Sequence, residues 1–211
     1  MPKLGIGPMR RDQICRGAAT VIAREGFTGA TMRMVAEEAG VSTGMLNHYF
    51  ANRQHLLIQS LVFVSERSHE QARASMEGLP PGRARLDAFL DSMHQDLEAA
   101  ETWRVWLNAY GEAVHLREVR HTMESLLATW YGLISHAIEE LVPDDVDGEI
   151  PWTNRVDAVL KGLALQAITA EVTLDGEQVR GELIRTLFGG ASAQSPPRVQ
   201  RPRPPLGAGV A

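Results

Sequence analysis

TMRMVAEEAGVSTGMLNHYFANR, residues 31–53, decides the fold. It reads as two short helices joined by a tight turn. Thr31 is placed to cap the first, because its hydroxyl can accept an orphan N–H of the first turn. Val35, Ala36 and Ala39 recur at helical spacing and form one apolar face. Gly40 closes that helix, since glycine takes a positive φ without a Cβ penalty. Val41 plugs the turn, and Ser42 caps a second helix from Thr43 to Tyr49. Leu46 and Phe50 are i and i+4 and share an inward face. Ser42, Thr43, Asn47, His48 and Tyr49 are left with polar atoms pointing outward. Two helices joined by a short glycine-containing turn make a helix-turn-helix, whose second helix fits a DNA major groove. Hydroxyls and amides meet phosphates and base edges, and Asn suits bidentate contact with adenine. Gly44 leaves room for close approach to a DNA backbone. The same pattern also allows an ordinary helical hairpin whose polar face meets water.

Outward from this stretch, Arg10–Glu25 reads as a first helix with Ile14, Ala18, Val21 and Ile22 buried. Gly26 ends it and Phe27 anchors the head's core. Asn52 caps a long helix over 53–76 striped by Leu56, Leu57, Leu61 and Val64. Arg53 at its start is placed to hold a phosphate. Residues 1–9, with Lys3, read as an arm of the kind that enters a minor groove, or as a frayed terminus.

Gly78–Gly82 breaks the chain. Beyond it the period stays helical, with helices expected near 83–99, 101–114, 117–142, 153–174 and 176–188. Pro143–Pro151 is an acidic turn, and Asp175 with Gln178 makes a variant capping box. Residues 189–211 are rich in Pro, Gly and Ala and are expected to be disordered. The expectation is an all-α chain of about nine helices in three parts: a DNA-binding head over 1–60, a helical body over 61–188 and a tail over 189–211.

The formal net charge of −5 argues at first against nucleic acid. Its distribution argues the other way. Residues 1–60 carry seven Lys/Arg against four acids, residues 61–188 eleven against twenty-two, and the last 23 residues three against none. A basic head on an acidic body suits a head that meets phosphate. The lone Cys15 excludes an internal disulfide, fits a reducing cytosol, and sits with Ala19 and Ile22 as a small core residue. No apolar run approaches the length of a membrane span, so a cytoplasmic protein is expected. The seven histidines have no metal-ligand spacing. No nucleophile, dinucleotide or phosphate-loop pattern occurs, so no catalytic residue, metal site or cofactor is assigned.

Residues 10–57 resemble the DNA-binding domain of the TetR family of bacterial transcriptional regulators. The resemblance is carried by Val41-Ser42-Thr43-Gly44-Met45-Leu46-Asn47-His48-Tyr49-Phe50 followed by Leu56-Leu57. The opening MPKLG with Arg10-Arg11 resembles the Bet-type choline-responsive repressors of the glycine-betaine pathway. One departure is Arg53, where the family often carries Lys; the charge stays but the donor geometry changes. The DNA-contacting set implied is Lys3, Thr31, Arg33, Ser42, Thr43, Gly44, Asn47, His48, Tyr49 and Arg53.

In the body, Trp103, Trp106 and Tyr110 lie at i, i+3 and i+7 on one helix face. The stretch from Trp103 to Tyr110 also resembles the sixth helix of Bet-type regulators. The stripe is either core or one wall of a ligand pocket, to which Trp130 and Trp152 could add walls. Aromatic faces attract quaternary ammonium groups, which suits choline or betaine aldehyde. Glu98, Glu101 and Glu112 are candidate counter-charges, and nothing in the sequence selects among them.

The apolar and small residues of 153–188, among them Val156, Leu160, Gly162, Leu163, Ala164, Ala167, Leu183 and Ile184, match the last two helices through which TetR-type regulators pair. They equally allow simple closure of the monomer core. The function expected is a repressor released from a double-stranded palindromic operator by a small-molecule inducer, acting as a homodimer through residues about 153–188. The rival is a ligand-independent DNA-binding protein or a helical protein-interaction module.

Overall fold

A computed structural model describes residues 6–93, 97–143, 150–169 and 176–188. Among them are nine helices and no strand: α1 (Ile6–Gly29), α2 (Met32–Glu38), α3 (Thr43–Tyr49), α4 (Arg53–Met76), α5 (Arg83–Ser92), α6 (Leu97–Ala113), α7 (Arg117–Ile138), α8 (Trp152–Ile168) and α9 (Gly176–Phe188).

The head follows from its caps. Thr31, Ser42 and Asn52 each take an extended backbone and accept the N–H of the third residue on, at 3.3, 3.2 and 2.8 Å. Each cap contributes about 1 kcal/mol to the start of its helix. Gly40, at φ 64, ends α2: its N–H reaches Glu37 O at 3.2 Å and Val41 N–H reaches Ala36 O at 2.9 Å. This double bond pattern satisfies carbonyls that the helix end would leave orphaned. Val41 packs half-buried against the core. Gly17 lets α1 approach α2 closely, for a Cβ there would lie 3.0 Å from Ala39.

Several boundaries differ from the sequence expectation. α1 begins at Ile6, so the arm expected over 1–9 loses its last four residues to the helix. Pro8 falls in the first turn, where a missing N–H costs nothing. α5 stops at Ser92 rather than near 99, and α6 starts at Leu97. α7 stops at Ile138, and Glu140, at φ 65, turns the chain. Lys3, residues 144–149, Asp175 and the 189–211 tail lie outside the described residues.

Two apolar clusters build the interior. The first joins the head to the body: Ile14, Val21, Leu46, Phe50, Leu56 and Leu61 share it with Val105, Ala109, Val119 and Met123. The second lies at the far end and takes in Met76, Leu86, Phe89, Ile134, Ile138, Val156, Leu160 and Leu183. α4 runs through both. The head is therefore not sealed at residue 60; its core continues across α6 and α7. No helix among the described residues is long and apolar enough to cross a membrane.

Candidate functional site

The polar face of α3 is exposed as its spacing required. Leu46 is fully buried and Phe50 1% exposed, which pins the helix against α1 and α4. Ser42, Thr43, Gly44, Asn47 and His48 stand exposed, with Tyr49 half-buried and edge-on to His48 at 5.2 Å. Met45, which the sequence reading passed over, is 36% exposed on the same face. A thioether suits contact with a thymine methyl, as an amide suits a base edge. Thr31 and Arg33 are exposed on α2, Arg33 in a weak surface pair with Glu37 at 3.7 Å.

Arg53 is the correction. Its guanidinium does not face outward from the start of α4 but turns into the head. Nε donates to Ala30 O at 2.5 Å, and Nη2 donates to Thr28 O at 3.0 Å and to Phe27 O. Those carbonyls end the segment after Gly26, and a charged fork satisfies them better than water does. The planar fork explains why Arg fits this position. Arg53 is thus a brace between α1 and α4 rather than a phosphate clamp.

The four aromatics singled out in the body converge. Trp103, Trp106 and Tyr110 of α6 and Trp130 of α7 all line one cavity of about 390 Å³, which α1, α4, α5 and α8 complete. Trp106 and Tyr110 pack against the first cluster, Trp103 and Trp130 against the second, so the cavity lies between the two cores. Its volume is that of a small-molecule site. Trp152 packs on the second cluster under the Arg155 guanidinium and does not line the cavity. Of the three candidate counter-charges, Glu101 lines it and accepts from Thr20 at 3.3 Å. Glu112 instead accepts from Thr28 at 3.0 Å, at the head junction. The Glu98 side chain lies outside the described residues.

Sequence reasoning missed the cavity's buried charge. Asp157 of α8 is 3% exposed. It accepts from Trp130 Nε1 at 3.0 Å and Tyr131 OH at 3.3 Å, and it pairs with Lys161 one turn on. The Lys161 ammonium lies 4.7 Å from the centroid of the Tyr110 ring. Burial, and then the Asp157 charge, push the phenols of Tyr110 and Tyr131 upward from their ordinary value. The Tyr110 hydroxyl is buried with no hydrogen-bond partner among the described residues. His69 stacks on Trp130 with centroids 6.0 Å apart, and burial lowers its pKa, helped by Arg73. The one sequence signal was an acid at position 157 inside an apolar stripe, with a lysine four residues later.

α6 has two working faces. One carries the aromatic wall. The other grips the head: Val105 and Ala109 are buried in the first core and Glu112 bonds Thr28, while Glu101, at the cavity, bonds Thr20. Asn108 Oδ1 sits 3.0 Å from where a Cβ on Gly26 would be.

Residues 14–59 match the family described as bacterial regulatory proteins, tetR family. Residues 81–189 match the BetI-type transcriptional repressor C-terminal domain. The chain belongs to the TetR family. As a TetR-family protein with a BetI-type body it is a DNA-binding transcriptional regulator and not an enzyme. It is 35% identical over 124 residues to the regulator BetI of Rhizobium meliloti, covering 58% of this chain and 61% of that protein. It is 28% identical to BetI of Vibrio vulnificus over 87% of this chain and 86% of the relative. Among solved structures, a TetR-family regulator from Rhodococcus sp. superposes with a TM-score of 0.69 at 27% identity, covering 84% and 95% of the two chains. A regulator from Saccharomonospora viridis, solved in complex with choline, shares the fold with a TM-score of 0.72 at 20% identity, covering 86% and 97%.

Proposed function

We propose that this TetR-family regulator is a repressor that two copies hold on a palindromic operator through α3, and that an organic cation entering the cavity releases it. The head of residues 1–60 reads DNA, and the body of residues 61–188 senses and pairs. Ser42, Thr43, Gly44, Asn47, His48 and Tyr49 approach the major groove, with Thr31 and Arg33 on the flanking backbone. The proposed site of action is the cytoplasm, where its operator is.

The observation that carries the ligand half is the placement of α6. It presents Trp103, Trp106 and Tyr110 to the cavity while its opposite face is built into the head. Aromatic walls with Asp157 and Glu101 at hand suit a quaternary ammonium such as choline. The Saccharomonospora viridis relative, complexed with choline, lends support by likeness of fold. Ligand against the aromatic wall shifts α6, α6 shifts α1, and the two recognition helices leave their common spacing of about one DNA turn (~34 Å). Linkage requires that operator weaken ligand binding by the factor by which ligand weakens operator binding.

Pairing falls to the outer parts of α8 and α9. Val156, Leu160 and Leu183, read from the sequence as possible pairing residues, are instead buried in the chain's own second cluster. Gly162, Leu165 and Ala167 are exposed, Leu165 at 48%, and Ile184 is half-buried. These supply the face for a second copy.

The test is fluorescence anisotropy of a labelled duplex from the protein's own upstream region as choline is added. Release of DNA from the wild type, with Trp106→Ala bound to DNA but unresponsive, is the expected result. Equal release from both proteins removes the cavity from the mechanism.

A further inference from the structure

The cavity already holds an organic ammonium, and it belongs to the protein. The Lys161 ammonium pairs with the Asp157 carboxylate, whose side chain is 4% exposed, and lies over the Tyr110 ring. A buried carboxylate beside an aromatic face is the pair of groups that recognises an ammonium ligand. Two of the cavity's other rings are already covered. Two guanidiniums, Arg16 and Arg67, sit over Phe63 at 5.9 and 5.7 Å, and Trp130 is stacked by His69 on one side and tilted against Phe89 at 5.3 Å.

We propose that Lys161 is a built-in competitor for the inducer: it occupies the cation subsite formed by Asp157 and Tyr110, and an organic ammonium binds by displacing it. The inference rests on the cation-binding reading of the cavity given above, and it names the subsite and the residue that sets its threshold. Exchange of one cation for another leaves the buried carboxylate paired throughout, which avoids the large cost of stranding it. Lys161 can leave because its side chain is 26% exposed and its four-carbon stem swings freely toward water. The buried Tyr110 hydroxyl beside the subsite provides a hydrogen-bond partner for a hydroxyl or carbonyl on the incoming ligand. Each ligand bound then costs the escape of Lys161, so the regulator responds only at high cation concentration.

The experiment is isothermal titration of the full chain with choline and with its uncharged isostere, in which carbon replaces the ammonium nitrogen. The proteins are the wild type, Lys161→Met and Lys161→Arg. Removing a like charge from the subsite should tighten choline by at least roughly tenfold in Lys161→Met while leaving the isostere nearly unchanged. Lys161→Arg keeps Asp157 paired, with a fork that grips a carboxylate by two bonds, and should weaken choline several-fold. That variant keeps the test valid if Lys161→Met folds poorly. Choline binding the wild type and both variants equally overturns the competitor role and leaves the cation site standing. Choline binding better to Lys161→Met by the same factor as the isostere shows that only space was gained, and also overturns it. Choline binding none of the three overturns the cation reading itself, and this proposal with it.

Discussion

Gly26→Ala tests the junction through which the cavity is argued to reach the head. Gly26 takes φ 75 and ψ 170 between α1 proper and the short turn leading to Gly29. That region is open essentially to glycine alone, and forcing alanine into it costs roughly 1–3 kcal/mol. A Cβ would also lie 3.0 Å from Asn108 Oδ1 of α6, and Asn108 is itself held by a bond from Nδ2 to Arg104 O at 2.9 Å. Moving that amide adds about 0.5–1 kcal/mol, at the low end because the bond is exposed. The sum centres on about 2.5 kcal/mol, which for a chain of this size lowers Tm by about 5–10 °C. Adding Asn108→Ala removes the contact but not the backbone strain, so the double variant should recover less than half of the loss. Gly40→Ala is the comparison. Its φ of 64 is left-handed and a Cβ there meets nothing within 4 Å, so it should cost only about 1 kcal/mol. Thermal melts followed by circular dichroism read all four proteins. A Gly26→Ala protein melting within about 1 °C of wild type, or one fully restored by Asn108→Ala, would refute the reasoning.

Other consequences are equally specific. Asn47→Ala should lose about 1–3 kcal/mol of operator binding at unchanged Tm, because the amide is exposed on the face proposed to meet DNA; gel shifts and melts on the same preparation check both halves. Arg53→Ala should lower stability by about 2–3 kcal/mol through the three carbonyls it leaves undonated. The salt dependence of its DNA binding should stay near that of wild type, whereas loss of a phosphate contact lowers the slope by about 1. Burial holds the folded His69 pKa below its ordinary value of 6.5. The unfolded chain then binds the proton more readily, so this residue's contribution is present above pH 6.5 and is lost as pH falls through the folded value. Unfolding by urea at a series of pH values should show that loss in wild type and not in His69→Phe.

Local chemistry was readable in the sequence. The three caps, Gly40, and the buried faces of α3 and α4 depend on residues within a few positions of one another, and each stands where its spacing put it. The aromatic face of α6 was also readable, because i, i+3 and i+7 is a property of one helix. That Trp130 joins it across the cavity was only a candidate, since it depends on how α7 packs. What the sequence hid were pairings across distance or within a buried stripe. Arg53 looked like a phosphate ligand because nothing local shows that the carbonyls of residues 27, 28 and 30 end beneath it. Asp157 and Lys161 drew no reading from the sequence, because burial of the acid is imposed by α7 through Trp130 and Tyr131. The apolar stripe over 153–188 divides for the same reason. One helical face can close its own core at Leu160 and stay open at Leu165.

The central claim is that the exposed face of α3 reads a DNA sequence. Competition anisotropy measures it most directly, with a labelled palindrome from the protein's own upstream region challenged by unlabelled palindrome or by random duplex at moderate salt. The account predicts that the palindrome displaces the probe at concentrations at least roughly a thousandfold below those needed with random duplex. Equal displacement by the two competitors would contradict it.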